Sequence, residues 1–224
     1  MDSPVSQKYM TGMLLQALFP ETCLHCGEKM ADAGLFCSPC AAQGIREFSA
    51  NGVQVQQVRY GQAHAFVYEG VARSLLKAAK FSERRRAVKR WIDLAAPQLR
   101  TLVGADSLVL ALPSRRKFLQ RLVKAIVPKK QLVLDAFSFK KEKIFLRRAN
   151  KALGEAARYR RIHETLQWRG KQLPAAKQYV ICDDVFTTGA TLTHAGYLTE
   201  KNLQLKPDQI TLWALLARPR EFIS

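Results

Sequence analysis

Two adjacent carboxylates and a threonine- and glycine-rich turn form the segment best suited to bind a small ligand. The segment reads YVICDDVFTTGATL over residues 179–192, with Asp183 and Asp184 at its centre. Ionised carboxylates only accept hydrogen bonds, which suits the two neighbouring hydroxyls of a sugar. The turn lies at the predicted start of a helix, where backbone N–H groups attract a phosphate monoester. The segment therefore predicts a ribose 5-phosphate site; a helix N-cap beside two surface acids is the alternative.

The residues of the predicted site lie at the end of an apolar strand and in the turn after it. A buried strand delivers this loop to the carboxyl edge of a parallel sheet, where α/β folds bind ligands. Glycine in the turn lets the backbone approach the ligand closely. We expect the sugar and the phosphate to be bound by Asp183, Asp184, Val185, Thr187, Thr188, Gly189, Ala190 and Thr191.

Four of the five cysteines form two CxxC pairs. The pairs are Cys23–Cys26 and Cys37–Cys40, and ten residues separate them. Each CxxC turn places two thiolates on one side of a tight loop, and two such turns complete the tetrahedral shell of a structural zinc ion. Two disulfides or free thiols are the alternative. The fifth cysteine, Cys182, stands in an apolar run and is expected to be a buried core thiol.

The chain is strongly basic. Its 224 residues contain 36 Lys and Arg against 18 Asp and Glu, a formal net charge of +18, which favours a nucleic acid or an anionic membrane surface as partner. We expect nucleic acid to bind the chain's basic clusters, and aromatic residues between them are typical of proteins that stack the bases of single strands; solvated helix faces with the aromatics in the core are the alternative. The predicted contacts are Arg84, Arg85, Arg86, Lys89, Arg116, Lys117, Arg147 and Arg148.

An α/β fold has to position these residues. Continuous apolar runs are typical of strands buried on both faces of a parallel sheet, and here they alternate with segments of helical spacing. The strands are predicted at residues 64–70, 107–113, 131–137, 178–185 and 209–217. The helices are predicted at residues 71–81, 83–103, 116–127 and 189–202, with Pro97 as a kink or a break in the second helix.

Three segments are expected along the chain. Residues 1–44 hold an amphipathic lead-in and the cysteine module, residues 45–63 read as a linker, and residues 64–224 form the larger domain. No apolar run reaches the length that spans a bilayer, and the N-terminus is too short and too weakly cationic for a signal peptide. We therefore expect a cytoplasmic protein.

Taken together, these motifs resemble the ComF family of competence-associated, amidophosphoribosyltransferase-like proteins. The resemblance covers about residues 21–217 and includes the cysteine pairs, Tyr68-x-Gly70, Lys80-Phe81 and the DDVFTTGATL segment. It implies a type I phosphoribosyltransferase-like fold, a mostly parallel sheet flanked by helices. It also implies a site for phosphoribosyl diphosphate (PRPP) with Mg²⁺ bound alongside.

The family's pyrophosphate loop corresponds here to LALPSRRKFLQRL, residues 110–122. This segment has a single proline and lacks the family's Arg-Gly-Phe-Asn sequence, and the resemblance leaves Pro113, Ser114 and Arg115 as the residues for the pyrophosphate. A later family stretch matches residues 149–166 at Arg160, but His163 stands where the family has Asn. These departures bear on catalytic turnover more than on phosphate binding.

Three functions follow from the resemblance. A ComF-like protein would serve natural transformation, binding incoming single-stranded DNA and PRPP or another ribose phosphate, in company with proteins of the DNA-uptake machinery. An active phosphoribosyltransferase would instead use Asp183, Asp184 and Arg115 as catalytic residues. A regulatory module that senses PRPP without reacting is the third.

Overall fold

The computed structural model describes residues 21–31, 34–48, 59–82, 84–140, 155–170 and 173–218. The predicted lead-in over residues 1–20 lies outside these ranges, as do Arg147 and Arg148. For Arg115 the backbone is described but the side chain is not.

Seven strands and six helices make up the described chain. The strands are β1 (Gly61–Val67), β2 (Ser107–Ala111), β3 (Leu132–Val133), β4 (Phe137–Phe139), β5 (Leu166–Trp168), β6 (Gln178–Phe186) and β7 (Ile210–Ala217). The helices are α1 (Ser38–Gln43), α2 (Gly70–Phe81), α3 (Arg85–Arg100), α4 (Phe118–Ile126), α5 (Glu155–Thr165) and α6 (Ala190–Leu203).

A parallel five-stranded sheet lies at the centre, in the order β1-β7-β6-β2-β3. All four of its strand pairs are parallel. Every residue of β2 is buried, as the continuous apolar run predicts for an inner strand. On β6, pairing with β2 ends at Cys182, whereas pairing with β7 continues to Phe186. The last residues of β6 therefore lie free of β2, at the carboxyl edge of the sheet.

Helices cover the sheet and bury its apolar faces. Helix α3 packs against both α2 and α4, and α6 packs over β6 and β7. Trp91 of α3 and Phe118 of α4 are fully buried, so these two aromatics belong to the core. Helix α3 continues through Pro97 without a break. Cys182 is fully buried, as predicted, and the expected α/β class with a mostly parallel sheet is confirmed.

The predicted strand at residues 131–137 is wrong as a single element. The chain pairs with β2 only at Leu132 and Val133, leaves the sheet, and pairs again from Phe137 in a separate antiparallel pair, β4 with β5. Apolar content cannot reveal this change of partner, because both short strands bury similar side chains. In the described part of the chain, no helix combines the length and the apolar character needed to cross a membrane.

Candidate functional site

The four N-terminal cysteines come together, as their spacing predicts. Their sulfur atoms all lie within 4.8 Å of one another. The first knuckle closes through a hydrogen bond from the Gly27 N–H to the Cys23 carbonyl, and Gly27 has a φ of +80°, the left-handed conformation that glycine adopts most easily. The second knuckle overlaps the start of α1: Cys37 is the N-cap residue of this helix, and Cys40 lies within it.

The donor set fits a tetrahedral zinc ion. The Sγ atoms of Cys26 and Cys37 lie 3.6 Å apart, close to the separation of about 3.8 Å that Zn–S bonds of about 2.3 Å impose in a tetrahedron. Burial would raise the pKa of the Cys23 thiol, but backbone N–H groups of Cys26, Cys37 and His25 stabilise its thiolate and lower that pKa to about 6. Burial raises the pKa of Cys40 to about 12, so a metal is what would ionise this second buried thiol.

The cysteine module packs directly on α2. Cys23, Cys40 and Met30 form a small apolar cluster with Val71 of this helix. The His25 Nδ1 and the Ser74 Oγ lie 3.1 Å apart, within hydrogen-bond distance. A zinc ion in the module would therefore fix one face of α2.

The paired acids lie where β6 runs past the end of β2. Asp184 is buried, and its Oδ2 accepts a charged hydrogen bond from Lys80 Nζ at 2.7 Å. Asp183 is half-buried, and its Oδ1 accepts a hydrogen bond from the Asp184 N–H at 2.7 Å. Successive side chains of a strand point to opposite faces of the sheet. Lys80 therefore pairs with one acid of the two, and in the described chain no cation forms an ion pair with Asp183.

The two acids differ in their electrostatic surroundings. Burial and the negative charge of Asp184 raise the pKa of Asp183 to about 7, although the Asp184 N–H and the Lys80 charge oppose the increase. A carboxyl group with such a pKa changes its protonation near neutral pH. In its ionised form Asp183 can accept a hydrogen bond from a hydroxyl of a ligand. In its protonated form it can donate a hydrogen bond to that hydroxyl.

The turn between β6 and α6 depends on glycine. Gly189 is the N-cap of α6 with a φ of +79°, and a Cβ placed there would lie 2.6 Å from Cζ of Phe186. Gly189 has no side chain to cap this helix, and the Ala190 N–H donates to Thr188 Oγ1 at 3.4 Å. The next N–H groups of the helix start lie beside Thr187, Thr188 and Thr191, which are all half-buried. Such an arrangement of N–H groups and hydroxyls attracts an anion.

The loop after β2 leaves the sheet next to this turn. The Leu112 N–H donates to the Cys182 carbonyl at 3.0 Å, so the loop begins beside the acid pair. Ser114 Oγ accepts the Leu119 N–H at 2.8 Å and donates to Gln120 Oε1 at 2.9 Å. Its hydroxyl is therefore committed to the start of α4, and a ligand here would meet the backbone of the loop rather than this hydroxyl.

Two consecutive residues of this loop are held in the left-handed region. Arg116 has a φ of +52° and Lys117 a φ of +56°, which non-glycine residues adopt at a cost of roughly 1–3 kcal/mol. The guanidinium of Arg116 donates to the carbonyl of Phe81, the last residue of α2. Three segments therefore converge at the carboxyl edge of the sheet: the end of α2, the loop after β2, and the β6–α6 turn.

The predicted nucleic-acid contacts are exposed wherever the structure describes them. Arg86 forms an ion pair with Glu21 at 3.4 Å, which joins α3 to the cysteine module. Arg116 is bound to α2 as described above. The exposed basic residues of the predicted set are Arg84, Arg85, Arg86, Lys89, Arg116 and Lys117.

Lys80 and Gln120 are site residues that the sequence analysis did not select. Lys80 belongs to a weak two-residue motif, and its role depends on a carboxylate that comes much later in the chain. Gln120 Nε2 donates to the Leu112 carbonyl at 2.8 Å and thereby fixes the loop after β2. Lys80 could have been noticed as a basic residue in the last turn of a helix whose neighbouring residues are mostly apolar.

Comparisons with known proteins add a partial similarity in structure. No protein-family model matches this chain, and no curated protein matches its sequence. Among solved structures, the chain is similar to a hypoxanthine phosphoribosyltransferase from Staphylococcus aureus, with 18% sequence identity and a TM-score of 0.33. The match covers 59% of this chain and 64% of the other. The resemblance to the ComF family therefore depends on the motifs alone.

Proposed function

We propose that the β6–α6 turn binds the ribose 5-phosphate part of PRPP or of a related compound. The observation that carries this proposal is the position of Asp183 and Asp184 beside a glycine-capped helix start at the carboxyl edge of a parallel sheet. The phosphate would lie on the N–H groups and hydroxyls of residues 187–191. The ribose hydroxyls would donate hydrogen bonds to the ionised carboxylates.

The pyrophosphate group would lie against the loop after β2. Pro113, Ser114 and Arg115 lead from β2 into the strained turn, and the cationic residues around them favour a polyanion. Mg²⁺ bound with PRPP would neutralise part of the pyrophosphate charge. Lys80 would offset the charge of the acid pair from the opposite side.

Protection against thermal unfolding tests this proposal. We expect PRPP with Mg²⁺ to raise the melting temperature of the wild-type protein, because a ligand that binds only the folded state stabilises it. The variant Asp183→Asn/Asp184→Asn should lose this protection, whereas Asp106→Asn, which removes an exposed acid outside the site, should keep it. Equal protection of the acid-pair variant would refute the assignment.

A catalytically active phosphoribosyltransferase is the second candidate. The same residues would hold the ribose while pyrophosphate leaves, and the developing positive charge at the anomeric carbon would be stabilised by the nearby carboxylates. The raised pKa of Asp183 favours this candidate, since perturbed carboxyl groups are frequent at reactive sites. Release of pyrophosphate from PRPP with a base or amine acceptor would support turnover; binding without release would favour a PRPP sensor.

For the whole protein we propose a ComF-like role in DNA uptake, with single-stranded DNA bound on the basic surface. The support is the net charge of +18 and the exposure of the described basic clusters. Replacing Arg85 and Lys89 by Gln should reduce the slope of log affinity against log salt by about 1.4, because each single-strand phosphate contact contributes about 0.7. Lys201→Gln/Lys206→Gln, an exposed pair outside these clusters, is the control. Equal slopes in the two variants would contradict the proposal.

We also propose that the four cysteines hold one structural zinc ion. Four thiolates leave no open coordination position, so this zinc would stabilise the module and perform no chemistry.

A further inference from the structure

A cavity of about 500 Å³ lies between the cysteine module and the end of α2, outside the site described above. Leu24 and His25 of the first knuckle form one wall, and residues of α2, with Ser82 and Arg84, form the other. Its volume falls within the range of about 300–1,000 Å³ that is usual for small-molecule sites. The His25–Ser74 contact joins the two walls. The width of the cavity therefore depends on how closely the first knuckle packs against α2.

The polar lining of the cavity is cationic. Lys77 and Arg84 line it, together with Ser74 and Ser82, and the Ser74 Oγ is also within hydrogen-bond distance of His25 Nδ1. Among the described residues no acid lines the cavity, and neither cation is paired with a described acidic side chain. Two positive charges with hydroxyl donors beside them match a phosphate monoester, which carries a charge of about −1.5 to −2 at neutral pH.

The apolar part of the lining includes an aromatic ring. Phe81 lines the cavity and is 43% exposed, although it is a large apolar side chain at the end of a well-packed helix. Leu24 on the knuckle wall and Ala78 on the α2 wall are the other apolar residues of the lining. An exposed ring beside two cations suits a ligand that has a planar ring as well as an anion, because the ring can stack on Phe81 while the anion meets Lys77 and Arg84. The cavity is also larger than a phosphate group alone requires.

From these features we propose that this cavity is a second ligand site, which binds a mononucleotide. The phosphate is held by Lys77 and Arg84 and the base lies against Phe81. The site goes beyond the proposed PRPP function, and it uses none of the residues assigned to PRPP. A contact between the two regions runs through Phe81, whose carbonyl accepts the Arg116 guanidinium.

Calorimetric titration of the full chain with AMP, adenosine and inorganic phosphate tests the proposal. We expect AMP to bind, and both fragments to bind at least about tenfold more weakly, because each lacks one half of the contacts. Lys77→Ala and Arg84→Ala should each weaken AMP binding about tenfold, in line with the loss of a charge-assisted hydrogen bond. Phe81→Leu should weaken AMP binding and leave phosphate binding unchanged.

Two controls separate this site from the others. Lys124→Ala removes an exposed cation of α4 that does not line the cavity and should leave AMP binding unchanged. AMP carries a ribose 5-phosphate and can also occupy the PRPP site, so Asp183→Asn/Asp184→Asn should abolish PRPP protection and retain one AMP site, which Lys77→Ala or Arg84→Ala then weakens. If the acid-pair variant binds no AMP, or binds it equally well after Lys77→Ala and Arg84→Ala are added, AMP occupies no site in this cavity and the inference is wrong. An equal loss in Lys124→Ala, equal binding of phosphate and AMP, or no binding of AMP also overturns it.

Discussion

Lys80 and Asp184 form a largely buried ion pair, with 2.7 Å between Nζ and Oδ2, that joins the end of α2 to the end of β6. The two side chains are 15% and 11% exposed, so water screens their attraction poorly. The pair brings a positive charge beside two adjacent carboxylates and leaves Asp183 as the acid whose protonation changes near neutral pH.

Replacing Lys80 by Met should destabilise the protein by about 3 kcal/mol, because Asp184 would remain as a buried charge without its partner. Adding Asp184→Asn to this variant should recover much of the loss. Urea unfolding of the two single variants and the double variant measures the coupling free energy between the residues. If the two losses simply add, the pair does not stabilise the fold in the way described.

The contribution of Asp183 to the free energy of unfolding should fall as pH rises towards neutrality, against an opposing contribution from His194, whose pKa burial lowers to about 4. The pKa of Asp183 is about 7 in the folded protein, against an ordinary value of 3.8. Between these values the folded state holds a proton that the unfolded state has lost. The stabilisation is therefore full below about pH 4 and is lost as pH rises through 7.

The variant Asp183→Asn isolates this contribution. Relative to the wild-type profile, it should remove a decline of about 1–3 kcal/mol between pH 5 and pH 8, because the amide has no proton to release. Urea unfolding at several pH values gives the profile. An unchanged profile in Asp183→Asn would show that another group controls the dependence.

Gly189→Ala should weaken PRPP binding more than tenfold and destabilise the fold by about 2 kcal/mol. A Cβ in a residue with a φ of +79° is strained, and it would press on the Phe186 ring. Gly104→Ala is the matched control, because its Cβ would make only an ordinary 3.6 Å contact with Ser107 Oγ. Calorimetric titration and thermal unfolding report the two effects. Full PRPP affinity in Gly189→Ala would separate the turn from the ligand.

Elemental analysis of the purified protein should give about one zinc per chain. Cys37→Ser should lose the metal, since three thiolates and a hydroxyl form a much weaker site. Cys182→Ala changes the buried core thiol and should keep the zinc. Native protein that is folded and free of zinc, or Cys37→Ser with its full metal content, would exclude the proposed zinc site.

Local sequence patterns were sufficient for the elements that carry the site. The apolar runs before Leu112 and Asp183 are buried strands because no polar side chain interrupts them, and two CxxC turns bring their thiolates together because each turn is a short local structure. Residues far apart in the chain were harder to place. The partnership of Lys80 with Asp184 depends on how α2 packs against β6, and no local pattern specifies that.

The backbone conformation of the loop after β2 could not be predicted from local patterns either. The sequence marked Pro113, Ser114 and Arg115 through a resemblance to a known loop. It gave no sign that Arg116 and Lys117 adopt left-handed conformations, because neither is glycine, asparagine or aspartate. Contacts from Ser114 and Gln120 impose this shape on the chain.

A crystal structure of the protein grown with PRPP and Mg²⁺ should show directly whether the β6–α6 turn is the ligand site. We expect the 5-phosphate to lie on the backbone of residues 187–191 and the ribose hydroxyls to lie within hydrogen-bond distance of Asp183 or Asp184. PRPP bound elsewhere, or an empty turn at a saturating concentration of PRPP, would contradict this expectation.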